Sequence, residues 1–140
     1  MTRINLGIPP ADLCDQHLIA EYRELPRLFS FSAKSKPPKS FRLGSGHVLW
    51  CAQYQHTMRT RQHSIVKEMH YREFKTSFTL PHIEGHKAPQ SEIARAVPII
   101  RERINDRLST MKRKTWTKRE IPNWVNCNDL QENCNDLQEK

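Results

Sequence analysis

The chain has 140 residues, a length that fits one domain and excludes a large multidomain enzyme. Only 36% of its residues are hydrophobic, against a usual apolar share of roughly 45–50%, so the core is thin, and no run of about 20 apolar residues exists to span a membrane. With 23 Lys and Arg against 15 Asp and Glu the formal charge is +8, which points to a phosphate polymer as partner.

The opening Met1-Thr2-Arg3-Ile4-Asn5-Leu6 lacks the apolar core of a secretory signal, so a cytoplasmic, intracellular location is expected. Pro9-Pro10 stiffens the approach to a first helix, with Asp12 as its expected N-cap. Residues 13–25 are amphipathic: Leu18, Tyr22 and Leu25 recur at helical spacing. Pro26 stops or kinks this helix because its ring clashes with the preceding turn. From Ser30 to Ser40 the chain is rich in Ser, Lys and Pro and reads as a loop. Gly44-Ser45-Gly46 is a tight turn into a second helix over residues 46–73. Tyr54, Met58, Ile65 and Met69 form its apolar stripe, while Arg59, His63 and Lys67 line another face. Residues 75–90 hold two prolines and Gly85 and form another loop.

A third helix begins near Ser91. Ile93, Val97, Ile100, Ile104, Leu108 and Met111 give the cleanest stripe in the chain, interrupted by Pro98, where a kink is expected. After Trp116 the pattern dissolves, and Asn126 to Glu132 is repeated identically as Asn133 to Glu139. This tail, residues 126–140, carries four acids and Lys140, a net of −3, which leaves +11 on the domain formed by residues 1–125. Its composition is that of a disordered segment. Helical periods, long loops and no strand signal predict an all-α fold, with Trp50 and Trp116 as packing residues.

Four cysteines (Cys14, Cys51, Cys127, Cys134) form no CxxC pair, which argues against a disulfide framework or a zinc site and for reduced thiols. His56, His63 and His70 recur every seven residues without a Cys or acidic partner, which is poor ligand geometry, so no metal or other cofactor is expected. The first helix is more informative. His17, Glu21 and Glu24 stand at i, i+4 and i+7 and share one face, and Arg23 and Arg27 flank it. Charged helix faces are usually only solvated surface. A carboxylate hemmed in by arginines is less common: guanidinium groups hold it ionised, and their planar forks also bind phosphate. A polyanion site with an embedded carboxylate suits chemistry on nucleic acid.

The terminus is a second candidate. Thr2 is small, so Met1 is expected to be clipped, leaving an α-amine with an ordinary pKa of about 7.7–8.0. Such an amine is partly unprotonated at neutral pH and nucleophilic without burial, and Arg3, Arg23 and Arg27 nearby would lower it further.

Thr2-Arg3-Ile4-Asn5-Leu6, Asp15-Gln16-His17-Leu18 and Ala20-Glu21-Tyr22-Arg23-Glu24-Leu25-Pro26-Arg27 closely resemble the bacteriophage endonuclease V family. These are pyrimidine-dimer DNA glycosylases with an associated AP-lyase activity. The resemblance continues with Phe41, Leu43-Gly44, Gly46-His47-Val48, Arg59, Arg61-Gln62, Ile65 and Phe74, then Arg103 to Leu108 and Thr115-Trp116. It implies a compact single domain of three main helices with the chain terminus lodged between them. It also implies that Thr2 supplies the nucleophilic amine and Glu24 the catalytic carboxylate. DNA-binding roles fall on Arg3, His17, Arg23, Arg27, Arg103 and Arg107. The implied partner is double-stranded DNA carrying pyrimidine dimers or abasic sites, met by a monomer. The chain departs from the family where Thr117-Lys118-Arg119 follows Trp116 in place of further aromatics, and in a shorter loop between Phe31 and Phe41. Competing readings are a non-catalytic, basic helical DNA-binding protein, and an AP lyase without dimer selectivity.

Overall fold

The computed structural model describes residues 4–29, 37–44, 46–77 and 84–126. Thr2, Arg3 and the repeat tail beyond Asn126 lie outside them. Among the described residues there are four α-helices and no strand. They are α1 (Asp15–Glu24), α2 (His47–Ala52), α3 (Gln55–Tyr71) and α4 (Gln90–Leu108), with 3-10 turns at Pro10–Asp12 and Leu25–Phe29. The all-α expectation holds, with one helix more than the periodicity suggested.

Each boundary that differs has a local cause. The N-cap of α1 is Cys14 rather than Asp12: its Sγ accepts the His17 N–H at 3.4 Å. Asp12 sits in the proline-led 3-10 turn and instead accepts the Trp124 indole N–H at 3.0 Å. At Pro26 the chain leaves α geometry but stays helical as the Leu25–Phe29 turn. Proline at its second position needs no N–H there, since the first amides of any helical turn lack internal partners. The expected long second helix is broken at Gln53-Tyr54, where Tyr54 has φ −112 and ψ 70. Gln55 caps the break by donating from Nε2 to the Leu28 and Ala52 carbonyls at 2.6 and 2.8 Å. α4 continues on both sides of Pro98, whose ring lies on the exposed face. Met111 falls beyond its end.

The core is built from Leu13, Leu18, Leu25, Leu28, Trp50, Met58, Ile65 and Ala96, all fully buried. Burying each large apolar side chain contributes roughly 1.5–3 kcal/mol. Trp50 packs edge-on against Phe41 and Tyr54, with ring centres 5.2 and 4.8 Å apart. Trp116 is buried as well, its N–H donating to the Asp12 carbonyl at 2.9 Å. Both tryptophans are therefore packing residues.

Two peripheral segments are fastened to this helical frame. Residues 4–8 bury Ile4, Leu6 and Ile8 around a turn at Gly7. Gly7 has φ +82, and a Cβ there would sit 2.7 Å from Val97 Cγ2 on α4. Only glycine lets the turn press this close in that conformation. Residues 115–119 are bolted to α1 and α3 by a buried charge network. Arg72, fully buried, donates to Asp15 from Nη1 and to Glu68 from Nε, each at 2.8 Å. Asp15 also accepts from the Thr115 and Thr117 hydroxyls at 2.6 Å, and Glu68 from Arg119 at 2.8 and 2.9 Å. Burial alone would raise the Asp15 carboxyl, but hydrogen bonds from Thr115, Thr117 and Arg72 outweigh it and hold it below its ordinary value. Glu68 is likewise lowered, its burial overcome by Arg119 and Arg72.

Candidate active site

A pocket of about 80 Å³ lies between α1 and α4, lined by Asn5, His17, Ala20, Glu21, Glu24, Arg103, Ile104 and Arg107. Helical spacing explains the lining. On α1, positions 17, 20, 21 and 24 fall on one face, and on α4 positions 103, 104 and 107 do the same. The segment of residues 4–8 supplies Asn5 as the third wall.

Four of the residues expected at the site, His17, Glu24, Arg103 and Arg107, thus meet in one place although 90 positions separate His17 from Arg107. Arg23 and Arg27 do not join them. Arg23 is exposed on the neighbouring face of α1 and lines a separate groove with Ile19, Tyr22, Phe74 and Lys75. Arg27 is exposed in the 3-10 turn. Thr2 and Arg3 lie outside the described residues.

The two acids in the pocket are not equivalent. Glu21 is 1% exposed. One of its oxygens accepts from Arg61 Nε, and the other accepts from Arg61 Nη2 at 3.0 Å and from Asn5 Nδ2 at 2.8 Å. Arg61 spends its remaining arm on the Ile8 carbonyl, at 2.9 Å. Both Glu21 oxygens are therefore engaged in holding Arg61 and Asn5. Glu24, three residues on, is half-buried on the pocket wall opposite the two arginines. Spacing alone grouped Glu21 with Glu24. The signal that separates them is the basic and amide partners at positions 61 and 5, which no local period reveals.

A further buried polar contact holds the residue preceding Asn5. His47, 3% exposed, accepts the Ile4 N–H through Nε2 at 2.8 Å, so its imidazole is neutral and carries its proton on Nδ1. In the sequence His47 stands out only as part of a motif, with no role attached to it.

Thiol chemistry fits poorly here. Cys14 and Cys51 are free and buried. Burial pushes the Cys14 thiol up to about 11 and raises Cys51 as well, so neither presents a thiolate at neutral pH. Among the described residues no group of three or more His, Cys, Asp and Glu side chains is disposed to hold a metal ion. What the pocket offers is a carboxylate beside two guanidinium groups. Such a site can receive a phosphodiester through the guanidinium groups and bring the carboxylate beside its sugar, where a carboxylate can stabilise a cation or remove a proton. The model of the family described as pyrimidine dimer DNA glycosylase matches residues 1–81.

Proposed function

Since the chain belongs to the pyrimidine dimer DNA glycosylase family, we propose that it cuts the N-glycosidic bond of the 5′ base of cyclobutane pyrimidine dimers in duplex DNA and then nicks the strand as an AP lyase. Once Met1 is removed, the Thr2 amine attacks C1′ of the sugar bearing that base. The N–C1′ bond forms as the glycosidic bond breaks, its electron pair leaving with the pyrimidine. Opening of the sugar ring gives an imine. Glu24 stabilises the cationic sugar and takes the C2′ proton, the C3′–O bond breaks by β-elimination, and water releases the enzyme from the imine. His17, Arg103 and Arg107 hold phosphates around the lesion, and Arg3, Arg23 and Arg27 extend the basic surface. A dimer already weakens stacking, so bending the duplex to expose C1′ costs less there than in intact DNA.

The observation that carries this reading is the pocket itself, in which Glu24, Arg103 and Arg107 converge on Asn5. Asn5, on its wall, is tied to Glu21, and the preceding Ile4 to His47; two residues of extended chain span at most about 7 Å. This short tether supports the assignment of the nucleophile to Thr2. Borohydride reduction tests the proposal. The protein is expected to be trapped on dimer-containing and on abasic duplex, and protein acetylated at its α-amine is expected not to be. Trapping by the acetylated protein would remove Thr2 from the mechanism. On plasmid, nicking of both irradiated and abasic substrates is expected. Nicking of abasic DNA alone would leave an AP lyase, and a mobility shift without nicks would leave a DNA-binding protein.

A further inference from the structure

We propose that His47 is a positioning residue for the N-terminal nucleophile: by accepting the Ile4 N–H it anchors the chain two residues along from Thr2. The proposal rests on Thr2 being that nucleophile.

The contact joins residues 43 positions apart and is buried. Ile4 is itself 1% exposed, so its amide has no solvent to turn to. The next residue is held from the opposite side, where Asn5 Nδ2 donates to Glu21 and Glu21 is clamped by Arg61. Consecutive residues are thus anchored to α2 through a backbone amide and to α1 through a side chain. Together the two anchors restrict both translation and twist of the chain at residues 4 and 5.

The imidazole is braced for this task. Phe41 meets it edge-on, with ring centres 5.5 Å apart. The Phe41 backbone N–H is in turn held by Glu92, in the first turn of α4, at 3.1 Å. The ring that sets the height of residue 4 is therefore referenced to the helix that carries Arg103 and Arg107. A residue serving only as core filler has no need of a ring nitrogen aimed at a main-chain amide, and here that nitrogen is the acceptor. Covalent attack is sensitive to such alignment: reacting atoms must approach to about 3–3.5 Å, and a 1 Å misplacement costs on the order of 10²-fold.

The test separates placement from packing. Single-turnover formation of the borohydride-trapped adduct is measured at saturating abasic duplex, alongside the dissociation constant of the same duplex without borohydride. His47→Leu removes the acceptor and is expected to slow trapping about 10- to 100-fold while affinity changes less than about threefold. His47→Gln, whose Oε1 can reach the place of Nε2, is expected to recover most of the rate. Should His47→Leu not fold, His47→Asn takes its part, being polar but too short to reach the Ile4 amide, and is expected to be slow. Trapping at the wild-type rate by the acceptor-less variant overturns the proposal. Equal slowing by Gln and Leu, with equal melting temperatures, does so too, because the ring would then matter for its shape alone. Failure of the Thr2 reading would look different: acetylated wild-type protein would trap.

Discussion

Helix α1 carries acids beside arginines at both ends, yet the two clusters do different things. At its start Asp15 is enclosed by Arg72, Thr115 and Thr117, and Arg72 passes on to Glu68 and Arg119. Every arm of that arginine is satisfied within the protein, and the network fastens residues 115–119 to the helices. Toward its end Glu24 shares a pocket with Arg103 and Arg107. Residue types alone do not distinguish these clusters. The difference lies in whether the acid is sealed among its partners or stands half-buried at the wall of a cavity. By that measure Glu21, 1% exposed, belongs with Asp15, although it stands three residues from Glu24 and lines the same pocket.

That contrast can be broken most directly at Glu24. Replacement by Gln is expected to lower strand cleavage by roughly 10²–10⁴-fold, the usual worth of a positioned proton-transfer group, while binding to irradiated duplex persists. Normal cleavage by Glu24→Gln would place the reacting acid elsewhere. The opposite signature is expected at Asp15. Removing one partner of a buried pair leaves the other charge uncompensated, so Asp15→Ala should lose about 3–5 kcal/mol in urea unfolding with activity per folded molecule kept. Arg103→Ala and Arg107→Ala sharpen the pocket side. Each should weaken DNA binding and reduce the slope of log affinity against log salt by about 1, as expected for one lost phosphate contact.

Acid provides the mildest probe. Asp15 and Glu68 are both held below their ordinary values in the folded protein. The unfolded chain therefore binds their protons first as pH drops. Their stabilisation is complete above about pH 4, the ordinary carboxylate range, and is lost as pH falls through the lower folded values. The melting temperature should owe no change to these groups between pH 7 and 5 and decline below about pH 4. A smaller decline is expected in Asp15→Asn, and an unchanged one would dissociate Asp15 from acid stability.

Part of the site could be read from the sequence because periodicity carries it: a 100° step puts His17 and Glu24 together. Arg103 and Arg107 were reached through the family resemblance, since the stripe of Ile100, Ile104 and Leu108 gives them no role by itself. Arg23 and Arg27, read as flanking that face, lie beside the pocket's lining and not in it: Arg23 is on the neighbouring face of α1 and Arg27 in the 3-10 turn. The long-range partners were not legible at all. Arg61 and Arg72 look like ordinary basic residues of α3 and its end, and only folding reveals that each neutralises an acid of α1 from 40 and 57 positions away. The break at Gln53-Tyr54 was hidden for a different reason, since Tyr54 packs edge-on against Trp50 and prolongs the apolar stripe through a non-helical residue. The cap at Cys14 was hidden because a thiol is not among the side chains that usually begin a helix.

The pocket draws one wall from residue 5 and another from residue 107. During translation, domains fold as units from the N-terminal end, and a nascent chain exposes Thr2 and all of α1 long before Arg103 has been added. The walls of the pocket are therefore complete only once α4 has been made and its Val97 packs against Gly7.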